Sequence, residues 1–238
     1  MNKLVDIEYD FRTDANGGDV DKCSATLRKY HKVLWSKPLP DGNIFSLDDT
    51  IEGVYLYHKT ETQEYFLSSD TIVVTYSKWI RTKNIIKQIP ENEINNFLHV
   101  GYTIGSYIIF PGRKINNLLT INQDRGRNSK IHDRFDITLE CIRRYYNNET
   151  SPLGKTLQRY NNYFKLFKDF NGYCDFFLLQ DLILDNYSKI KFFLSFDGFE
   201  KNPYPKNVEE YLKFKENSIE FNQNRNKRIQ DYVNSISG

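Results

Sequence analysis

The chain has 238 residues, 39% hydrophobic and 27% charged, with 12 Gly and 7 Pro, a balance that supports a packed core and excludes collagen-like, elastic and wholly disordered chains. Lys and Arg number 33 against 31 Asp and Glu, and a net charge of +2 excludes both a histone-like polycation and an acidic tail. No window of 18 apolar residues is present, and the N-terminal MNKLVDIEYDFRTD carries no apolar run of signal-peptide length, so a cytoplasmic protein without a membrane span is expected.

In chain order, the first half reads as strand-rich. Residues 4–12 set Val5, Ile7, Tyr9 and Phe11 against Asp6, Glu8 and Asp10, the alternation of a half-buried strand. Residues 13–21 are a polar loop. Ser24 caps a helix carrying Leu27, Tyr30 and Leu34, which Pro38 and Pro40 stop. Short strands are predicted at 54–57, 65–67 and 71–76, and Pro90 with Glu91 and Glu93 opens a helix towards Leu98. Residues 102–110 and 115–121 flank Pro111-Gly112 as strand, turn and strand.

After Gly126 the period changes to that of a helix. Ile131, Phe135, Leu139, Ile142 and Tyr146 make one apolar stripe, so a helix is predicted from about Ser129. Ser151-Pro152 opens a second, with Leu153, Leu157, Tyr160, Phe164 and Phe167 inward and Asn171-Gly172 as its end. Residues 173–184 read as a buried helix and 190–196 as a returning strand. Asn207 with Glu210 resembles a capping box for a last helix to about Ser235. The expected fold is α+β: an antiparallel or mixed sheet from residues 3–121 packed against about four helices from the C-terminal half, in one domain over residues 1–238.

Standard signatures of nucleotide, metal and hydrolase sites are absent from the sequence, and no cofactor or metal is expected. The three cysteines, Cys23, Cys141 and Cys174, lack paired spacing and read as reduced thiols. Charge is unevenly placed. Residues 22–37, 78–87 and 113–130 are basic runs, and Tyr30, Trp35, Tyr76 and Trp79 interleave with the first two. Cations with stacking groups suit a phosphate-bearing partner, nucleic acid or nucleotide, with Trp35 and Lys37 among the binding residues. The alternative is that each run is the solvated face of its element.

Residues 120–144 are the densest polar stretch. A strand–Gly–helix junction at Gly126 would aim free N–H groups at an anion beside Arg125 and Arg127, with Asn128 as a cap. The helix would then present Asp133, Asp136, Glu140 and Arg143 opposite its apolar stripe. Ligand binding through Arg125, Asn128, Asp133, Asp136, Glu140 and Arg143 is one expectation. A non-catalytic interaction protein with a salt-bridged helix face is the other, because Asp136 and Glu140 reach Arg143 and Arg144 at helical spacings.

Two resemblances bear on this segment. Arg127-Asn128-Ser129-Lys130-Ile131-His132 is similar to the Arg-x4–6-His motif of HEPN ribonucleases, which implies metal-independent RNA cleavage with Arg127 and His132 as the catalytic pair. A wider resemblance is carried by Leu34-Trp35-Ser36-Lys37-Pro38-Leu39-Pro40, Ser68-Ser69-Asp70, Phe110-Pro111-Gly112, Arg125-Gly126, Asn128, residues 133–145 and Ser151-Pro152-Leu153. These segments resemble a family of uncharacterised bacterial proteins known as a domain of unknown function. That resemblance implies a bacterial, intracellular protein, assigns no activity, and does not include His132.

Overall fold

The computed structural model describes residues 4–48 and 56–237. Val5 and Phe11 enter the core, but residues 4–12 form turns rather than the expected strand. The acids of the alternation cause this. Asp6 and Asp10 accept the N–H groups of Glu8 and Arg12, two residues on, and such Asx turns replace a ladder.

Helix α1 (Val20–Cys23) leads into α2 (Ala25–Trp35), which Ser24 caps by accepting the Leu27 N–H at 3.1 Å. Asp14 fixes that cap from outside, through Ser24 Oγ at 2.6 Å and the Thr26 N–H at 2.8 Å. Strands β1 (Lys37–Pro38) and β2 (Ile44–Phe45) pair as a small ribbon. The main sheet is antiparallel, in the order β3 (Leu56–Lys59), β4 (Glu64–Thr71), β5 (Tyr107–Pro111), with Leu67 opposite both Leu56 and Pro111. Of the strand predicted at 54–57, Val54 and Tyr55 lie outside the described residues. The predicted strand at 71–76 is not formed. The ladder ends at Thr71, and Tyr76 has a left-handed backbone with φ 56°.

A 3-10 turn (Ile80–Thr82), α3 (Lys83–Ile86) and α4 (Glu91–Val100) connect β4 to β5. The second strand of the expected pair, at 115–121, is also missing. Asn116 and Asn117 are left-handed, and Thr120 forms a reciprocal capping box with Gln123 that opens α5 (Ile121–Arg127). Gly126 therefore lies inside a helix. The strand–Gly–helix junction does not exist, and the next helix, α6 (Phe135–Tyr146), starts six residues later than predicted.

The stripe from Leu153 to Phe167 is buried as expected, but it divides at Tyr160 into α7 (Gly154–Arg159) and α8 (Asn161–Lys165). Asn171-Gly172 does not end that helix. It lies within α9 (Phe170–Phe176), capped by Asp169, and a Cβ on Gly172 would sit 2.2 Å from the Phe167 carbonyl oxygen. The predicted helix at 173–184 is only α9 and a 3-10 turn (Gln180–Leu182), since Leu178 is left-handed between them. Of the returning strand at 190–196, only Ile190 is paired, in the ribbon of β6 (Ile183–Leu184) and β7 (Lys189–Ile190). Asn207 accepts the Glu210 N–H at 2.8 Å and starts α10 (Val208–Ser237), which runs for 30 residues.

One contiguous cluster of buried side chains runs from Val5 to Val233, so helices of both halves share a core with the sheet. The molecule is an α+β protein with its main sheet in the N-terminal half. Among the described residues, no helix is long and apolar enough to cross a membrane.

Candidate functional site

The expected anion ligand Arg125 is fully buried on α5. Its guanidinium donates to Asp70 Oδ2 at 3.0 Å and the Thr71 carbonyl at 2.9 Å from one nitrogen. The other nitrogen donates to the Asp133 carbonyl at 2.9 Å and lies 3.1 Å from Asp133 Oδ1, out of line for a hydrogen bond. This cation ties the end of β4 to the turn between α5 and α6. It has no free face for a phosphate. Burial raises the Asp70 carboxyl well above the usual range, with Arg125 opposing and the Asp21 and Asp133 charges adding to the rise.

Burial and the Asp19 charge likewise push the Asp21 carboxyl up to about 6, against a hydrogen bond from Ser69 and the charges of Arg125 and Lys22. Ser69 in turn lies 2.9 Å from His31 Nε2, and His31 Nδ1 accepts the Trp35 indole N–H at 2.9 Å. The Trp35 donor fixes the tautomer, so Nε2 carries the proton towards Ser69. Burial, reinforced by Arg225 and Arg28, lowers His31 to about 3, and the ring stays neutral. Trp35 is therefore a buried donor rather than a stacking platform. Lys37, the other binding residue expected there, has its ammonium nitrogen among the rings of Trp35, Phe176 and Tyr232, 4.7–5.0 Å from their centroids.

The polar face predicted for α6 is also consumed internally. Arg134 and Asp136 form a fully buried pair, Arg134 donates to the Pro203 and Leu194 carbonyls, and Asp136 accepts the Phe193 N–H. Glu140 takes Arg143 at 2.8 Å and Arg144 at 2.6 Å, and Arg143 reaches Glu149. The salt-bridged reading of this face holds for Glu140. Asp136 pairs instead with Arg134, two residues before it. Asn128 is the C-cap of α5, and its side chain accepts the Lys130 N–H.

What the turn offers to solvent is narrower. His132 and Asp133 are consecutive left-handed residues, with φ 47° and 65°, held by Arg125 and by the Tyr76 hydroxyl donating to the His132 carbonyl at 2.8 Å. Tyr76, left-handed as well, is held by Thr82 Oγ1 donating to its carbonyl at 2.7 Å. Three such residues meeting at one place store backbone strain of order 1–3 kcal/mol each, and such strain gathers at functional sites. Beside them opens a cleft of about 200 Å³, lined by residues 73–79, Thr71, Leu98, Tyr102 and Asp133.

At the rim of the cleft, Trp79 packs edge-on against Tyr76 and His132, and His132 against Tyr204. Arg81 lies over the Tyr204 ring at 5.8 Å. Burial and the Arg81 charge lower the His132 pKa, leaving a neutral imidazole at neutral pH. The cation beside His132 is thus Arg81, while Arg127 is exposed in the last turn of α5. Lys78, Arg81, Lys83 and Lys87 are exposed with Ile80 among them, and residues 78–90 contain no acid. Among the described residues, no three His, Cys, Asp or Glu side chains converge as metal ligands.

The sequence marked His132, Asp133 and the Trp79 run separately, and the fold brings them together. Asp70, Arg81 and Tyr204 were not singled out as site residues. Arg81 could have been, as the cation two residues from Trp79. Asp70 gave no local signal, because its partner lies 55 residues away.

These features define an α+β protein whose buried ion pairs hold a strained turn beside a basic, aromatic rim. The chain belongs to a family of unknown function (DUF6994), which matches residues 5–229. Compared with the curated proteins and with solved structures, it finds no match.

Proposed function

We propose that the protein binds a phosphate-bearing ligand with a planar ring, a nucleotide or a single-stranded nucleic acid, at the rim of the Trp79 cleft. One observation carries this reading: the half-buried Trp79, with His132 and Tyr204, stands beside four exposed cations in a stretch without acids. Ring stacking and phosphate neutralisation are the two contributions that such ligands require. In this reading a base stacks on Trp79 or Tyr204, and Arg81 and Lys83 meet phosphate. The neutral His132 accepts a hydrogen bond or a proton, and Asp133 accepts from an exocyclic amine.

Trp79 reports the test directly, since the second tryptophan, Trp35, is buried. Titration with mixed mononucleotides and a short random oligonucleotide should quench Trp79 fluorescence. The affinity should fall with salt, and Arg81→Ala should weaken it at least tenfold. Absence of quenching by any of these, or an unchanged affinity in Arg81→Ala, removes the proposal. RNA cleavage without metal, abolished by His132→Ala in a folded protein, would extend the binding site to a ribonuclease.

A second reading, a non-catalytic interaction protein, is favoured by the internal pairing of Arg125, Arg134, Asp136, Glu140 and Arg143. It keeps the ion network as scaffold and predicts no response to phosphate ligands.

A further inference from the structure

Lys37 lies apart from the Trp79 cleft, on β1 between the exposed residues Ser36 and Pro38. Its ammonium nitrogen is enclosed by the faces of Trp35, Phe176 and Tyr232, from α2, α9 and α10. On the same Trp35 ring lies the Arg225 guanidinium, 5.7 Å from the centroid and fully buried. Arg225 is held by the carbonyls of Phe177, Gly105 and Tyr107, so it brings a second positive charge without a carboxylate in contact.

The acid whose charge acts on Lys37 is Asp175, and one oxygen of its carboxylate, Oδ1, accepts both from Gln180 Nε2 at 2.8 Å and from the Tyr187 hydroxyl. Among the described residues, no carboxylate pairs with Lys37. Aromatic faces attract an ammonium, yet they accept no conventional hydrogen bond from its three donors. An amine so placed is the nucleophile of imine chemistry when its proton is easily lost.

We infer that Lys37 is a reactive amine, a site at which the protein takes up a small carbonyl compound as an imine. The nitrogen lone pair adds to the carbonyl carbon while the C=O π pair moves to oxygen, and a proton passes from nitrogen to that oxygen. The carbinolamine then loses its hydroxyl as water, with a proton from solvent, as the lone pair closes the C=N bond. The Trp35, Phe176 and Tyr232 rings hold the nitrogen and limit water around the product. Burial and the Arg225 charge lower the Lys37 pKa to about 7, against Asp175. About half of the amine is then unprotonated at neutral pH, against roughly one part in three thousand for an ordinary lysine.

The wild-type chain provides its own comparison. Treatment with glyoxylate and cyanoborohydride at pH 7 reduces any imine to a stable secondary amine, which peptide mass mapping locates. Lys37 should be labelled at least tenfold faster than the exposed Lys83 and Lys87, and the advantage should shrink towards pH 10. It should vanish in urea that unfolds the chain. Labelling of Lys37 no faster than that of Lys83 overturns the inference, and so does an advantage that survives unfolding.

Discussion

Arg125 shows how a charged residue can be essential and still unavailable to a ligand. With Asp70 and Asp133 both against it, removal leaves carboxylate in a place that burial already makes unfavourable for charge. Arg125→Ala should therefore destabilise the protein by about 3–5 kcal/mol in urea titrations, as broken buried pairs do. A loss under about 1 kcal/mol would mean that solvent reaches the pair. Asp21 gives a prediction of opposite sign. Its carboxyl titrates near 6 in the folded state instead of 3.8, so the folded protein holds the proton more tightly. The stability linked to Asp21 is then fully present below about pH 4 and is lost as pH rises through 6. A shift of two units corresponds to about 3 kcal/mol at most, less for the part-exposed side chain. Asp21→Asn should match wild type near pH 4 and exceed it by about 1–3 kcal/mol at pH 7. Equal stabilities at both pH values would place the carboxyl in water.

At the scale of elements, local chemistry explains both what was legible in the sequence and what was not. The Ser24 cap and the Asn207 start of α10 rest on bonds within a few residues and stand as expected, and the stripe from Leu153 to Phe167 is buried as expected although its helix divides at Tyr160. Two elements depart from that expectation through a competing local bond. Asx turns displaced the strand at 4–12, and the Thr120–Gln123 box turned an apolar run into a helix. The left-handed Tyr76, His132 and Asp133 left no trace in the sequence, because side chains outside their own turns hold them there: Thr82 and Arg125 from six and eight residues away, and the Tyr76 hydroxyl across 56. Ion pairs across 55 residues are invisible for the same reason, so the sequence suggests a strand–Gly–helix junction at Gly126 where the chain forms a helix followed by a left-handed turn at His132-Asp133. Where the stripe is right, its energetics follow. Phe164 is fully buried against Tyr145, Tyr146 and Tyr173. Phe164→Ala should cost about 3–5 kcal/mol with an unchanged denaturant slope. A cost below about 1 kcal/mol would mean that the aromatic neighbours collapse into the space.

For the molecule as a whole, α10 connects parts that no sheet joins. It buries Tyr211, Phe214, Phe221, Ile229 and Val233 in the common core. Arg225 satisfies the carbonyls of Gly105, Tyr107 and Phe177, and Asn222 and Asn226 bond to Ser106, Thr103 and the Gly105 N–H. The fit is close at Gly105, where a Cβ would lie 2.7 Å from the Asn222 carbonyl oxygen. At the other end, the Tyr211 hydroxyl donates to the Thr75 carbonyl at 2.7 Å, within the segment that lines the cleft. A chain ending at residue 206 would expose this core face and leave those buried polar groups unpaired, each at about 1–3 kcal/mol. Against a total stability of about 5–15 kcal/mol, the sum exceeds what a folded state can lose. The shortened chain should show no cooperative urea transition and no near-ultraviolet circular dichroism. Tyr211→Phe, which removes one hydroxyl and keeps the ring, should fold with a loss of about 1 kcal/mol and weaken ligand quenching of Trp79. A cooperative transition in the shortened chain would make α10 an appendage. Unchanged quenching in a folded Tyr211→Phe would separate the cleft from the helix that this geometry ties to it.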